Sequence, residues 1–299
     1  MFPPWETDSV SATSSREPIG PSLEAYLLGR LEYDVALALQ NRLVYEASGR
    51  DDGQIALLMC EHPSTLVVGR RGSRAHIELT PRELTSRKLP VRWVNHGGGC
   101  LVHTPGQLAI YPIVPLAWHK LTLGDYLHRL HAVVRNVLIE LKIKAQDHPV
   151  NGLNGCNGGS APAEAAQNGH SNGHHPETAP VFSVSAAPVA TPQPGVWGRT
   201  GQLAALSVAV KHGITYHGAF INVAPALEEF RGVVSDPVQG SPMSSLVAER
   251  QQPVRMTTVR EAVVRHMCQA FECQRFHVHT GHPLLPQIAL TVRESARVG

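Results

Sequence analysis

Histidines, glycines and arginines gather in this chain at spacings that chemistry can use. Glu61-His62-Pro63 is followed by Gly69-Arg70-Arg71-Gly72, and then by the run His96, Gly97, Gly98, Gly99, Cys100, Leu101, Val102 and His103, which closes on Pro105-Gly106-Gln107. Three successive glycines let a backbone approach a ligand with no side chain in the way, and Pro-Gly forces a turn that fixes His103 and Gln107 on either side of it. A close-walled ligand slot needs both features. A second group follows after a long gap: Pro194-Gly195-Val196-Trp197, then Gln202-Leu203-Ala204-Ala205-Leu206-Ser207, then His217, Gly218, Ala219 and Phe220. The plainer reading of each piece alone is a glycine-rich hairpin without a ligand. Arg70, Arg71 and Arg74 read either as a basic turn for an acidic protein partner or as a solvated face.

Other chemistries fit less well. His96-Gly97-Gly98-Gly99 together with Gly169-His170-Ser171-Asn172-Gly173 spells the two motifs of an esterase, but a nucleophile elbow requires a strand running in and a helix running out. This serine lies instead among Gly, Asn and Ser repeats, where such matches arise by chance. His170, His174 and His175 lack carboxylate or thiolate partners, so no metal site is expected there, and no cofactor is expected elsewhere. Cys268 and Cys273, five apart on an expected helix, fall on different faces and read as packing residues.

Taken in order, the pieces resemble the lipoyl(octanoyl) transferase family, of the lipoate-protein ligase B type. Its members carry E-H-P, a G-R-R-G-like turn, R-G-G-x-x-T-[YW]-H-G-P-G-Q, P-G-V-[YW] and H-G-[FL]-[AS]-L-N in this sequence, and the resemblance spans about residues 23–250. It implies an α/β (α+β) fold with a mixed, largely antiparallel sheet flanked by helices, the catalytic domain type of biotin and lipoate ligases. The implied activity moves octanoate from acyl carrier protein to a lysine of a lipoyl domain, in 2-oxoacid dehydrogenase or glycine cleavage proteins. The implied substrate-binding residues are Arg71, the run His96 to His103, Gln107, Ala205, Leu206, Ser207 and His217 to Phe220. In that family a cysteine takes the acyl group as a thioester and a nearby lysine activates it, since a cation beside a thiol favours the thiolate. Carried over position by position, the cysteine becomes Asp236, the lysine becomes Gln202, and the arginine of R-G-G becomes His96. His103, Pro105, Gly106, Gln107, His217, Gly218 and Asn222 keep the family's residue types.

Three functions stay open on this reading. One is an acyltransferase that uses Asp236 as a mixed-anhydride nucleophile, uses Cys100 as a relocated thiol, or lets the acceptor amine attack directly. The second is a catalytically inactive relative that binds octanoyl or lipoyl groups. The third, an adenylating ligase on the same fold, loses its obvious lysine to Gln202.

The elements that must position these residues are legible as patterns. Val35, Leu39 and Leu43 mark one helix, and Leu123, Tyr126, Leu127, Leu130, Val133, Val134, Val137, Leu138 and Leu141 mark a longer one at 123–143, with Thr122 and Asp125 as its cap. A third helix is expected near 258–270, with Thr258 and Glu261 at capping-box spacing. IALLMC, TLVVGR, VRWVNH, LAIYPIV, QLAALSVAV and GITYHGAFINV read as strands, and YLLGRLEY as a short one. The last stretch, from Gln274, offers an apolar run without recognisable chemistry. Residues 1–21 are expected to be a disordered tail, and 146–194, dominated by Gly, Asn, Ala, Pro and Ser, a disordered insertion within a single domain at 22–299.

Composition removes whole classes. The chain has 299 residues and a formal charge of +2, too little basic surplus for nucleic acid as a general partner. No run approaches the roughly 18 apolar residues of a membrane span, and the opening residues do not read as a signal peptide, so a cytoplasmic protein is expected. Five cysteines without CxxC spacing predict reduced thiols.

Overall fold

The apolar runs pair into two sheets. In the computed structural model, which describes residues 20–146, 194–235 and 242–298, β1 (Ser22–Arg30), β2 (Ile55–Glu61), β3 (Thr65–Val68), β4 (Val91–Trp93), β5 (Cys100–His103), β6 (Gln107–Ile113), β7 (Gly195–Gly198), β8 (Gly201–Lys211), β9 (Ile214–Asn222) and β10 (Arg275–Thr280) follow one another along the chain. The main sheet has the order β10-β1-β2-β6-β9-β8-β7 and the small one β4-β3-β5. In the main sheet β1 runs parallel to β10 and β2, and the other four pairings are antiparallel. Strands from both sides of residues 147–193 thus share one sheet. Gln146 and Trp197, which flank that stretch, exchange backbone hydrogen bonds of 2.7 and 3.1 Å. Residues 1–19 of the expected tail, most of the expected insertion, and Asp236 lie outside the described residues.

The central strands are apolar on both faces because helices cover both. On one face lie α1 (Tyr33–Ser48) and α6 (Leu285–Val298); on the other lie α3 (Leu123–Glu140) and α5 (Met256–Ala270); α2 (Pro81–Ser86) and α4 (Leu246–Arg250) are short. α3 buries Tyr126, Leu130, Val133, Val134, Val137 and Leu138, each worth about 1.5–3 kcal/mol against exposure, so this face docks the helix firmly. Its capping box forms as read: Thr122 Oγ1 accepts from the Asp125 N–H, and the Asp125 carboxylate accepts from the Thr122 N–H. The box expected at Thr258 and Glu261 does not form. α5 has already begun at Met256, with Arg255 at the cap and no side chain bonded to it, so Thr258 lies inside the helix. No helix among the described residues is long and apolar enough to cross a membrane.

The small sheet packs on its own cluster of Leu66, Val68, Ile77, Leu79, Leu89, Cys100, Val102, Phe230 and Val233. Along β5 successive side chains alternate between this cluster and the main sheet, where Leu101 joins Ala205 and Phe220. β5 therefore walls off a region between the two sheets, and that is where the polar side chains converge.

Candidate active site

The glycine loops fix each other. Gly69 donates to the Gly99 carbonyl, Arg70 to that of His96 and Arg71 to that of Gly98, all at 3.0 Å, while Gly97 donates to Val208 on β8 at 2.9 Å. A Cβ on Gly69 would meet His96 Nδ1 at 2.6 Å and the Gly98 carbonyl at 2.7 Å, so glycine is required for the two turns to touch. Arg70 and Arg71 are exposed at the rim of this arrangement.

Four imidazoles are buried behind it: His62, His96, His103 and His217. His103 Nδ1 lies 2.7 Å from Gln107 Oε1; Gln107 Nε2 donates to Asn222 Oδ1 at 2.9 Å, and Asn222 Nδ2 to the Gln202 carbonyl at 3.4 Å. With the amide oxygen accepting, His103 carries its proton on Nδ1, and its Nε2 is buried without a partner. The ring is stacked on Tyr33 at 5.4 Å and packs against Phe220 at 4.6 Å, which fixes its plane. His62 donates from Nδ1 to the Leu31 carbonyl at 2.6 Å and accepts at Nε2 from the Tyr111 hydroxyl at 2.7 Å.

His96 donates from Nδ1 to the Gly97 carbonyl at 2.7 Å, and the Ser207 hydroxyl touches both of these groups. His96 Nε2 has no partner, nor has Nδ1 of His217, whose ring centre lies 4.9 Å away. His217 adopts a φ of +56°, and its N–H is held by Gln40 Oε1 at 2.7 Å. Gly218 follows because a Cβ there would meet the Ile110 carbonyl at 2.1 Å. Burial disfavours the imidazolium at every one of these rings. It lowers His62 and His96 to about 4 and His103 to about 3, and holds His217 well below its ordinary value. At neutral pH all four rings are uncharged.

The positions carried over for the nucleophile and its activator are less endowed. Gln202 is buried; its N–H donates to the Pro242 carbonyl and its carbonyl accepts from Ser244, both at 2.9 Å, while its side-chain amide donates to Ala204. The chain at Pro242 and Ser244 thus joins β8 at Gln202. Cys100 points the other way. Its sulfur sits in the aliphatic cluster of the small sheet, 3.8 Å from the Ser73 carbonyl, and burial pushes its thiol pKa up. It is not gathered with the imidazoles, whereas Leu101, His103, Ala205, Ser207, His217 and Phe220 lie on their side.

Tyr33, Gln40 and Tyr111 complete this region and were not singled out from the sequence. Gln40 on the apolar face of α1 and Tyr111 amid the apolar run of β6 carried the only signal, a polar group where the periodicity asks for an aliphatic one. Glu61 also gains a role: Oε2 accepts from the Gly106 N–H at 3.0 Å and Oε1 meets Arg260 at 3.1 Å, anchoring the turn between His103 and Gln107. Among the described residues no three metal-binding side chains are grouped to hold an ion.

Comparison with known proteins agrees with this geometry. The family described as "Lipoyl protein ligase A/B catalytic domain" matches residues 32–268. An octanoyltransferase of Chloroflexus aggregans is 30% identical over 256 residues, covering 84% of this chain and 96% of its own length. One from Roseiflexus sp. is 29% identical over 258 residues, covering 85% and 89%. Among solved structures, a lipoate-protein ligase A bound with ATP superposes with a TM-score of 0.62 at 14% identity, covering 91% of this chain and 94% of that one. A bipartite lipoate protein ligase of Thermoplasma acidophilum gives 0.61 at 13%, covering 91% and 92%. The mixed, largely antiparallel sheet flanked by helices is the fold these ligases share.

Proposed function

We propose, from the premise that this chain belongs to the lipoyl protein ligase A/B catalytic domain family and is an octanoyltransferase-type enzyme of protein lipoylation, that it transfers the acyl group directly from thioester to amine. The donor in this reading is octanoyl-acyl carrier protein, and the acceptor is a lysine of a lipoyl domain in a 2-oxoacid dehydrogenase or glycine cleavage protein. The observation that carries the direct route is the unpartnered Nε2 of His103, whose neutral ring is held through Nδ1 by Gln107 and flanked by Tyr33 and Phe220.

The octanoyl chain lies in this reading along Leu101, Ala205 and Phe220, under the backbone of Gly97 to Gly99. The lysine nitrogen attacks the thioester carbonyl carbon; the C–N bond forms, the C–S bond breaks, and the proton lost by the amine passes through imidazole to the departing thiolate. The acceptor lysine attacks as the neutral amine, Asp236 takes no covalent part, and Gln202 holds the returning chain in place. The direct route suits a chain with Asp and Gln where the family has Cys and Lys, because a carboxylate would give an anhydride that water destroys. The domain is read as one unit interrupted by residues 146–194, as the shared sheet supports.

Mass spectrometry of the chain mixed with octanoyl-acyl carrier protein and a lipoyl domain tests this. Octanoyl is expected on the lipoyl domain with no hydroxylamine-labile adduct on the enzyme. An adduct on the enzyme would replace the direct route by a covalent one, and its loss in Cys100→Ser would assign it to the thiol. Octanoate binding without any transfer would overturn the enzyme reading.

A further inference from the structure

α5 ends in a left-handed turn that joins two cysteines. Beyond Ala270 the backbone passes through Phe271 to Glu272, whose φ is +55°; the Glu272 N–H donates to the Gln269 carbonyl and the Cys273 N–H to the Cys268 carbonyl at 2.9 Å. These are the two reversed bonds of a Schellman closure, which folds the second residue past the cap back onto the last turn of the helix and brings their side chains together. Here both residues are cysteines, and the Cys273 thiol donates to the Phe271 carbonyl at 3.9 Å. The five-residue spacing reads as separate faces only if the helix continues, so the left-handed Glu272 corrects the placement on separate faces, while both cysteines do pack against the core.

We infer that Cys268 and Cys273 form a dithiol site that a peroxide closes to a disulfide and a trivalent arsenical bridges. The backbone closure between the same two residues seats their side chains at one end of the helix, where side-chain rotation brings the sulfurs together. Both side chains are partly exposed, whereas Cys60 and Cys100 are buried. Cys268 opens onto a groove of about 450 Å³ between α5 and β10, walled by Leu27, Val264, Phe276 and Val278. The Cys273 thiol donates its proton to the Phe271 carbonyl at 3.9 Å, whereas Cys268 faces the groove where peroxide arrives, so Cys268 supplies the attacking thiolate.

The Cys268 thiolate attacks one peroxide oxygen, the O–O bond breaks and hydroxide leaves, giving a sulfenic acid. The Cys273 sulfur then attacks the Cys268 sulfur, the S–O bond breaks, and water departs with the Cys273 proton. Two thiols are oxidised by two electrons and one peroxide becomes two waters. The site packs on the α3 and α5 face of the sheet, away from the imidazoles, and does not depend on the acyl reading.

Peptide mapping of the reduced full chain after limited hydrogen peroxide tests the site. A Cys268–Cys273 link is expected to form about tenfold or more faster than any product at Cys60 or Cys100, as thiolate character and exposure dictate. Cys273→Ser is expected to leave a sulfenic acid at Cys268 that dimedone captures. One phenylarsine oxide per chain is expected to protect both thiols from alkylation, an arm that uses the unaltered protein should the variant fail to fold. First reaction at any other cysteine, Cys156 included, or failure of the arsine oxide to protect the pair, would overturn the inference.

Discussion

At the scale of single residues, the same element type appears in opposite roles. His103 presents a buried, unpartnered nitrogen to the space between the sheets, and Cys100, three residues earlier on β5, presents its sulfur to the far side. His103→Ala is expected to lower kcat/KM for octanoyl transfer by about 10²-fold or more, the range for losing a positioned acid–base group. Cys100→Ser is expected to leave transfer intact while costing roughly 1–3 kcal/mol of stability, because it buries a hydroxyl among aliphatic side chains. Steady-state rates beside a urea titration of both variants check the pair; equal loss of activity would put the thiol back in the reaction. Restoring Asp236→Cys together with Gln202→Lys is expected to create a hydroxylamine-labile octanoyl adduct where the unaltered chain shows none, since a thiol with a neighbouring ammonium is an acyl acceptor. Absence of that adduct in a folded, octanoate-binding variant would mean that the corner around Gln202 no longer receives the acyl group.

At the scale of elements, the site depends on turns that are anchored from a distance. The Pro105-Gly106 turn sets His103 and Gln107 at its two ends, and Glu61 at the end of β2 holds it while Arg260 on α5 holds Glu61. Glu61→Ala leaves Arg260 without that partner and the Gly106 N–H unbonded, an expected loss of about 1–3 kcal/mol, with kcat/KM falling as the turn loosens. The exposed Arg42–Glu46 pair on α1 provides the contrast, since its removal is expected to cost about 0.5 kcal/mol or less. Equal effects in thermal unfolding would show the Glu61 contact to be as incidental as the surface pair. Much of this scaffold is legible in the sequence. α1 and α3 carry strong periodicity, the strands β2, β6, β8 and β9 are apolar runs buried on both faces, and the glycine motifs mark where backbone meets backbone. The rest escapes for physical reasons. β10 has exposed side chains on both faces, so edge pairing with β1, rather than apolar patterning, makes it a strand. The contact of Cys268 with Cys273 hangs on one left-handed residue, and the inward turn of Gln40 and Tyr111 on partners far away in the chain.

At the scale of the whole molecule, four imidazoles buried in the neutral state make the fold sensitive to acid. In the unfolded chain each takes up its proton near 6.5, while in the folded chain His62 and His96 do so near 4 and His103 near 3. Between these values the unfolded state binds more protons. Stability is therefore full above about pH 6.5 and falls as pH drops toward 4, by up to about 1.4 kcal/mol per pH unit for each imidazole. The urea midpoint is expected to be level from pH 7 to 8 and to decline from 6.5 to 4.5; a level midpoint through the lower window would mean that these rings bind protons without unfolding the protein. The parallel seating of β1 between β2 and β10 bears on how the molecule is made. Leu23 has Ile55 on one side and Phe276 on the other, so one neighbour of the first strand is synthesised soon after it and the other some 250 residues later. During synthesis the β10 side of β1 stays unpaired, an open edge that other chains can reach, until those later residues have been made.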